Sequence, residues 1–422
     1  MEPLELLNKI VHSTIEAVKP DKLIFEKINY KNHFLTINNR AYDLSKYKKV
    51  HLVGSGKASV IMAKAIKELI GDKVSGGVII SNYYESIDNI SVLVGSHPLP
   101  TEKTIKATER LLEYLEKVQS DDFIIYLLSG GTSALLEKPV YPLTLEDIKE
   151  ITNILLKKGL NIKELNSIRK RLSSVKGGKL NNYINCSGVV LVLSDVLGDK
   201  VETIGSAPLY YKKESLNILN LLKKYSLEKV LSKDIINLIT YEDKIVENKL
   251  EHFIIGSNHD ALIAAKNMAY KFGLDAQILT NTLRGQASEA GKFITSIGEY
   301  VSSQNMKDRL YIFGGETTVF VKGNGLGGRN QELALSALNE LSEFDYKIYV
   351  AAFGTDGLDG PTDAAGAIIS KGLLERAKKC GISIEEFLYN NDSYNFFKKV
   401  GGHIITGPTG TNVCDVILLL IK

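Results

Sequence analysis

The stretch VHLVGSGKASVIMAKAIKELI, at residues 50–70, decides the fold. It begins with an apolar, β-branched run, which is typical of a buried strand, and turns at the glycines of GSG (54–56). The segment after the turn, SVIMAKAIKELI (59–70), has apolar residues at i, i+3 and i+4, as an amphipathic helix does. A buried strand followed by a glycine turn and a helix predicts one unit of a parallel α/β sheet.

The same alternation recurs along the chain. Helical segments such as TIKATERLLEYLEKV (104–118) separate the apolar runs. The other runs are GGVIIS (76–81), FIIYLLSGG (123–131), GVVLVLSDV (188–196), HFIIGSN (252–258), LDAQILT (274–280), RLYIFGGETTVFV (309–321) and YKIYVAAFGTDG (346–357). Continuous apolar strands between amphipathic helices predict an α/β fold in which a mainly parallel sheet is covered on both faces.

The length of the chain, 422 residues, predicts two domains rather than one core. A Lys/Glu-rich stretch at 211–250 lacks glycine-ended strands and predicts peripheral helices leading to a boundary near residue 245. We therefore expect an N-terminal Rossmann-like, three-layer domain at 1–245 and a second α/β domain at 246–422. The last apolar run, NVCDVILLLI (412–421), fits either sheet.

Composition excludes several classes of protein. Hydrophobic residues make up 44% and charged residues 24%, and the net charge of +3 is too small for a nucleic-acid-binding surface. Cys186, Cys380 and Cys414 form no CxxC pair, which argues against a disulfide framework or a zinc site. The longest apolar run, Val416 to Ile421, is too short to span a membrane. We expect a cytoplasmic protein that acts without nucleic acid or membrane, as a monomer or a homodimer.

Glycine-rich loops follow most of the predicted strands. Ligands of open α/β sheets bind at the carboxyl ends of the strands, so these loops predict the ligand site. The loops are GSGKAS (54–59), SGGTSA (129–134), SDVLGD (194–199), GSNHDA (256–261), GGETT (314–318), GNGLGGRNQE (323–332), GTDGLDGPTDAAG (354–366) and TGPTGTN (406–412).

The first loop predicts an anion site in which backbone amides and Lys57 bind a phosphate or a carboxylate. It is not a Walker A motif, because His51 and Ala58 stand where that motif needs glycine and Ser/Thr. It is a poor dinucleotide fingerprint, because Ser59 replaces the third glycine. The alternative is a solvated lysine on the first turn of a helix.

A second anion site is predicted at GNGLGGRNQE (323–332). Arg329, one of only eight arginines, follows Gly327 and Gly328 at a predicted helix start. Free amides and the guanidinium would meet there on one anion, which arginine binds through two parallel hydrogen bonds. The alternative is a flexible turn with a surface arginine.

Aspartates crowd two of the loops. Asp195 and Asp199 follow one apolar run, and Asp356, Asp359 and Asp363 follow another. A strand-end aspartate can hold Mg²⁺ together with waters and substrate phosphate. Aspartates in turns also cap the backbone, so we expect at least half of these five to be structural.

Other reaction classes fit poorly. The chain has no GxSxG motif for a serine hydrolase and no His/Cys cluster for zinc or iron. Glycine amides, hydroxyl groups, two cations and candidate magnesium ligands suit phosphoryl transfer, in which the protein mainly positions groups and stabilises charge.

The motifs together resemble the glycerate 2-kinase family, the glycerate kinases with a C-terminal MOFRL domain. The resemblance covers nearly the whole chain. The motifs that carry it include VGSGKAS (53–59), SHPLPTE (96–102), SGGTSALLEKP (129–139), NSIRKRLSSVKGGKL (166–180), SDVLGDKVETIGSAP (194–208), GSNHDAL (256–262), GGETTV (314–319), GLGGRNQE (325–332), GTDGLDGPTDAAGA (354–367) and TGPTGTN (406–412).

The resemblance implies an enzyme that uses ATP and Mg²⁺ to phosphorylate D-glycerate at its 2-hydroxyl, in a cleft between two α/β domains. It implies that Lys57 and Arg329 are the essential cations and that Arg169, Lys176 and Asp195 face the cleft. Asp195 is the first candidate for holding Mg²⁺ or orienting the hydroxyl, and Asp356 is the second. The remaining predicted binding residues are Gly54, Ser55, Gly56, Ser129, Gly130, Gly131, Ser133, Gly327, Gly328 and Asn330.

The chain departs from the family pattern at Thr132, Ala207 and Gln286, where the family usually has Gly, Gly and Glu. The first two changes bear on nucleotide preference, and the third leaves residue 286 without an assigned role. Two other functions remain open at this point. They are an NAD(P)-dependent hydroxypyruvate reductase, which the poor dinucleotide fingerprint disfavours, and a non-catalytic sugar-phosphate-binding module, which leaves GGRNQE and GTDGLDG unexplained.

Overall fold

The structure is a computed structural model and describes residues 1–213, 216–241, 247–341 and 347–422. The α-helices are α1 (Pro3–Ala17), α2 (Pro20–Lys27), α3 (Ser59–Ile70), α4 (Glu102–Leu115), α5 (Thr132–Leu135), α6 (Leu145–Lys157), α7 (Ile162–Arg171), α8 (Ile218–Tyr225), α9 (Lys233–Thr240), α10 (Asn258–Lys271), α11 (Ala287–Ser303), α12 (Arg329–Glu340), α13 (Lys371–Lys379), α14 (Ile384–Tyr389) and α15 (Ser393–Val400). The strands are β1 (Ile28–Lys31), β2 (Phe34–Ile37), β3 (Arg40–Asp43), β4 (Val50–Ser55), β5 (Val74–Ser81), β6 (Ile90–Val94), β7 (Phe123–Leu128), β8 (Ser187–Leu193), β9 (Glu251–Gly256), β10 (Asp275–Leu283), β11 (Arg309–Gly315), β12 (Ile348–Gly354), β13 (Gly366–Ser370), β14 (His403–Ile404) and β15 (Asp415–Ile421).

The first large sheet has the strand order β6-β5-β4-β7-β8-β9. Strands β4 to β8 pair in parallel, as their continuous apolar sequences predict. Every residue of β4 and of β7 is buried. Because these two central strands pair from Val50↔Phe123 to Ser55↔Leu128, the loops after them begin side by side. The parallel α/β fold predicted for the first half of the chain is confirmed.

The second large sheet has the strand order β10-β11-β15-β12-β13-β14. Strands β10 and β11 are parallel, and β15 lies antiparallel between β11 and β12. The last strand therefore joins the second sheet, which settles the choice that its sequence left open. All seven residues of β15 are buried, because it has a neighbouring strand on each side and helices over the sheet.

The described residues divide into two compact units that are not contiguous in sequence. One unit, called here the Lys57 unit, contains 24–193 and 200–255. The other, called here the Arg329 unit, contains 1–23, 194–199 and 256–422. The predicted boundary at residues 245–246 falls on a segment outside the described residues. The contiguous limits 1–245 and 246–422 stay a prediction. In the present division α1 belongs to the Arg329 unit, because it packs its apolar face against α10 and β12 of that unit.

A group of helices in the Lys57 unit has its own apolar core. Helices α6, α7, α8 and α9 bury leucines and isoleucines against one another. Both α6 and α7 begin with a capping box, at Thr144 and Asn161 respectively, which fixes where each helix starts. These helices hold the last turn of α7, with Arg169, in a fixed position.

The described part of the chain contains no helix with the length and apolar character that a membrane span needs.

Candidate active site

In the Lys57 unit, the loops 54–59 and 129–134 are hydrogen-bonded to each other. The Lys57 amide donates to the carbonyl of Gly130 at 2.9 Å, and the Ala58 amide donates to Oγ of Ser129 at 3.1 Å. The Gly56 amide donates to the carbonyl of Ile80. The amides of Gly56, Lys57 and Ala58, which the sequence predicts to bind an anion, are therefore already bonded within the protein.

Three of the residues predicted to bind phosphate are closely packed inside the protein. A Cβ at Gly54 would lie 2.7 Å from the carbonyl oxygen of Leu127, and a Cβ at Gly56 would lie 2.2 Å from Oγ of Ser129. Ser55 is fully buried, and its hydroxyl bonds that of Tyr126 at 2.8 Å. Gly54, Ser55 and Gly56 serve close packing between β4 and β7. Ser129 is also fully buried and holds the first loop through Ala58.

The second loop has the open amides. The N–H groups of residues 130–133 have no acceptor among the described residues. Gly131 has φ +85°, which favours glycine, and a Cβ there would lie 3.1 Å from Cγ of Lys57 and 3.2 Å from Cδ2 of His97. Successive free amides in such a turn form an anion-binding concavity. The anion site of this unit is thus assembled from loop 129–134 and the Lys57 side chain.

The Lys57 side chain is half-buried, and no hydrogen bond or ion pair joins its ammonium to any of the described residues. His97 stands beside it. Burial lowers the pKa of His97, and the charge of Lys57 lowers it further. The neighbouring histidine is therefore held neutral near a cation that is available to a ligand.

Lys176 was predicted to face a ligand, but it is buried. Its ammonium forms an ion pair with Glu137, and the two side chains are only 1% and 2% exposed. Burial lowers the pKa of Lys176, and the charge of Glu137 opposes that shift. In this structure Lys176 is thus paired inside the protein, and its predicted ligand role stays a prediction. Arg169 lies near enough to act on the Lys176 charge, and its own Nε is buried without an acceptor in the described part of the chain.

In the Arg329 unit, Arg329 begins α12 and is held by two carboxylates. Its Nε donates to Oδ2 of Asp415 at 2.5 Å and its Nη2 donates to Oδ1 of Asp415 at 2.9 Å. Nη1 lies 3.2 Å from Oε1 of Glu316. Burial opposes the charge of Arg329, but these two carboxylates raise its pKa. The two parallel hydrogen bonds that the sequence predicts for a ligand are made to Asp415, through Nε and Nη2. The Nη protons that do not point to Asp415 are left for an anion.

The amides at the start of α12 are also bonded within the protein. Oδ1 of Asp359 accepts from the Asn330 amide at 3.1 Å, and Oδ2 accepts from the Gln331 amide at 2.8 Å. Asn330 is 1% exposed, and its side-chain amide bonds the same carboxylate. The sequence predicts that these amides and Arg329 meet on one external anion, whereas here the two amides bond Asp359. Asn330 holds the helix start.

The glycines of 323–328 allow close approach to two neighbouring segments. A Cβ at Gly325 would lie 2.4 Å from Cβ of Asp392. A Cβ at Gly327 would lie 2.2 Å from Oγ of Ser393, and one at Gly328 would lie 2.3 Å from Cγ of Asp359. This packing, rather than flexibility, explains why so many glycines precede Arg329.

A cavity of about 780 Å³ opens beside Arg329 within the same unit. Gly327 and Gly328 line it together with Glu316 and Arg284. Leu197, Val319 and Pro361 give it an apolar part. A cavity with apolar walls and a few charged groups suits a small-molecule ligand.

Acidic side chains surround Arg329. Burial raises the pKa of Glu316, and the charges of Asp415, Asp195 and Asp356 raise it further, so these carboxylates share one electrostatic environment. Among the described residues, no three His, Cys, Asp or Glu side chains already form a metal site. Mg²⁺ is commonly bound through one or two carboxylates together with substrate phosphates. The donor set here fits that mode, whereas it does not fit a metal held by protein side chains alone.

Several predicted aspartates have structural partners. Oδ1 of Asp356 accepts from the Leu358 amide at 3.2 Å, as a turn cap does. Asp359 caps α12, and Oδ1 of Asp363 accepts from the hydroxyl of Tyr394 at 2.8 Å. The backbone carbonyl of Asp195 accepts from Sγ of Cys414.

Three carboxylates that hold the cations were not predicted from the sequence. Asp415 had a visible signal, because it is the only charged residue in the apolar run 412–421. Glu316 stands in a loop that was noted for its glycines rather than for its acid. Glu137 had no local signal, since its partner Lys176 lies far away in sequence.

With an α/β sheet in each unit and a cation beside open amides, the molecule has the features of a phosphotransferase. The model of a domain of unknown function, DUF4147, matches residues 6–240, and the MOFRL family model matches residues 309–415. D-glycerate 2-kinase from Thermotoga maritima is 42% identical over 99% of this chain and 98% of that protein. Glycerate 2-kinase from Pyrococcus horikoshii is 35% identical over 100% of this chain and 98% of that protein.

A solved structure agrees with these similarities. The crystal structure of glycerate kinase from Thermotoga maritima has a TM-score of 0.89 and 40% identity, and the match covers 99% of both chains. The chain belongs to the family of glycerate kinases that combine a DUF4147 domain with a MOFRL domain. The family membership predicted from the sequence motifs is confirmed.

Proposed function

We propose that this protein transfers the γ-phosphoryl group of ATP to the 2-hydroxyl of D-glycerate, giving 2-phosphoglycerate and ADP. The observation that carries the proposal is the full-length similarity to D-glycerate 2-kinase at 42% identity. The cation chemistry of each unit is consistent with phosphoryl transfer, in which catalysis is mostly positioning and charge stabilisation.

Lys57 and loop 129–134 bind phosphate oxygens in this proposal. The Lys57 ammonium has no partner among the described residues, and the amides of residues 130–133 have no acceptor there. An ammonium and several N–H groups beside one another stabilise negative charge on equatorial phosphate oxygens. Ser133 stays in place through its hydroxyl contact with Ser206 at 2.8 Å.

In this proposal Arg329 stabilises phosphate charge through its Nη groups. Asp415 fixes the guanidinium from behind, so Arg329 loses little side-chain entropy when an anion binds. A preorganised positive group of this kind stabilises the charge that develops in the transition state.

Asp195 and Asp356 are the proposed magnesium ligands, with Glu316 as a neighbouring acid. If Mg²⁺ is held there, it would neutralise part of the negative charge of the ATP phosphates. The protein's part is to present these carboxylates close to Arg329, which keeps the local charge balanced in the absence of nucleotide. Asp195 also remains the first candidate for orienting the 2-hydroxyl.

The test is ATP consumption by the purified protein with D-glycerate and Mg²⁺, followed by identification of the product. Enolase consumes 2-phosphoglycerate directly, whereas 3-phosphoglycerate needs phosphoglycerate mutase first. Product that is consumed by enolase alone supports the proposal, and product that requires the mutase contradicts the 2-hydroxyl assignment. Absence of ATP consumption, with oxidation of NADH in the presence of hydroxypyruvate, would favour the reductase instead.

A further inference from the structure

A basic segment on α7 and the loop after it contains five cations between residues 169 and 179. Four of them are bound by protein oxygens. Lys170 and Lys179 donate to the backbone carbonyls of Glu202 and Lys170, at 3.1 and 3.2 Å. Arg171 donates to the carbonyl of Tyr241 at 2.9 Å, and Lys176 is paired with Glu137. The fifth cation, Arg169, has a side-chain Nε without a hydrogen-bond partner among the described residues.

The Nε of Arg169 is buried and has no acceptor among the described residues. A buried N–H group without an acceptor costs roughly 1–3 kcal/mol, and more when it carries charge. An unsatisfied buried group of this kind calls for an explanation, such as an ordered water, an ion or a functional role. An anionic ligand that reaches the guanidinium would supply the acceptor that Nε lacks.

The position of Arg169 is fixed relative to the phosphate loop. It lies in the last turn of α7, and its neighbour Ile168 is buried in the helical core. Its charge acts on Lys176, whose partner Glu137 follows loop 129–134 along the chain. The amide of Gly177 donates to the carbonyl of Ser206, whose hydroxyl contacts Ser133 in that loop. A continuous set of contacts thus joins the Arg169 segment to the loop beside Lys57.

We infer that Arg169 binds the carboxylate of the hydroxy-acid substrate, while Lys57 and loop 129–134 bind phosphate. This inference rests on the proposed function and deepens it by naming the residue that selects an acid over a neutral polyol. The planar guanidinium matches a carboxylate through two parallel hydrogen bonds, and its buried Nε gains the acceptor it lacks. Lys176 does not serve this purpose, because Glu137 already neutralises it.

The test compares D-glycerate with D-glyceramide, the uncharged amide that retains both hydroxyls, in wild type and in Arg169→Gln. We expect Arg169→Gln to lower kcat/KM for D-glycerate by about 10- to 100-fold, the effect of losing hydrogen bonds to a charged group. The kcat/KM for D-glyceramide and the KM for ATP should stay within about twofold of wild type. The ratio of kcat/KM for D-glycerate to that for D-glyceramide should therefore fall. Arg171→Gln, two residues away and bonded to a backbone carbonyl, is the matched control and should change neither substrate.

Three results would overturn the inference. The first is an unchanged KM for D-glycerate in Arg169→Gln, and the second is a raised KM for ATP in that variant. The third is an equal loss of kcat/KM for D-glycerate and for D-glyceramide. If Arg169→Gln does not fold, Arg169→Lys keeps the charge without the planar fork and should show an intermediate loss for D-glycerate only. If wild type consumes no ATP with D-glycerate, the proposed function fails by itself. Calorimetric binding of D-glycerate without ATP then decides the inference, and equal affinity in wild type and variant contradicts it.

Discussion

Arg329 and Asp415 are joined by two parallel hydrogen bonds, from Nε to Oδ2 at 2.5 Å and from Nη2 to Oδ1 at 2.9 Å. Asp415 is the first residue of β15, the strand that lies between β11 and β12, and its side chain is only 2% exposed. A buried carboxylate at the end of a central strand can thus fix the direction of a guanidinium at the start of α12. The second sheet positions the cation that we assign to phosphoryl transfer.

The first prediction concerns Asp415→Asn, which keeps the size of the side chain but removes its charge. Arg329 would lose one acceptor and its preferred direction, so we expect kcat to fall by at least about 10-fold with a smaller change in the KM for D-glycerate. Steady-state kinetics measure the split. Asp122→Asn is the matched control, because Asp122 is an equally buried carboxylate that pairs with His51 in the Lys57 unit. Equal kcat in Asp415→Asn and wild type would contradict the positioning role.

The second prediction concerns His97 as a reporter of Lys57. Burial and the positive charge of Lys57 both lower the pKa of His97. Lys57→Ala should therefore raise the pKa of His97, because the nearby charge is gone. NMR titration of the seven labelled histidines measures it, with His97→Gln used to assign the resonance. Lys64→Ala, on the exposed side of α3, should leave the titration unchanged. An identical His97 titration in Lys57→Ala would show that the two side chains do not lie together.

The third prediction concerns the buried pair Glu137 and Lys176. Glu137→Gln leaves a buried ammonium without its charge partner, so we expect the free energy of unfolding to fall by about 3–5 kcal/mol. The double variant Glu137→Gln, Lys176→Met removes both charges and should recover most of that loss. Urea unfolding measures both effects. Because Lys176 is paired inside the protein, the double variant should have the same KM for D-glycerate as wild type. If the double variant raises this KM as much as Arg169→Gln does, Lys176 contacts the substrate and the structural role is contradicted.

The fourth prediction concerns the pH dependence of stability. Burial lowers the pKa of His252 from 6.5 to about 4, so the folded protein holds this ring neutral where the unfolded chain protonates it. Between about pH 4 and 6.5 the unfolded state binds more protons, and stability therefore rises with pH and is fully present above the unfolded pKa. Scanning calorimetry across this window should show a smaller slope of Tm against pH for His252→Phe. An unchanged slope would contradict the neutral buried ring.

Local sequence patterns were enough to predict most strands of the two large sheets and the loops that carry Lys57 and Arg329. The apolar runs that became β4 and β7 are buried along their whole length, as expected of central parallel strands. Which amides stay open was not predictable, because that depends on partners remote in sequence. The backbone amides of Gly56 and Lys57 donate to the carbonyls of Ile80 and Gly130, and the Ala58 amide donates to Oγ of Ser129.

In the loop before Arg329, too, the contact partners could not be predicted from local sequence. Its glycines were visible in the sequence, but the reason for them lies in Asp359 and in residues 390–393, which approach the backbone from elsewhere in the chain. The assignment of α1 to the Arg329 unit also depends on long-range packing, since α1 is adjacent in sequence to the Lys57 unit. Local pattern predicts the type of an element, whereas its partners are set by tertiary packing.

The central claim is that Lys57 and Arg329 both act in phosphoryl transfer to D-glycerate, and the kcat of Lys57→Ala and Arg329→Ala tests it most directly. A cation that stabilises the transferring phosphoryl group is worth about 10³ to 10⁵ in kcat. We predict a loss of this order in each variant, with unfolding midpoints close to wild type, and no loss in Lys64→Ala. Turnover near wild type in either folded variant, with D-glycerate and ATP at saturation, would contradict the claim.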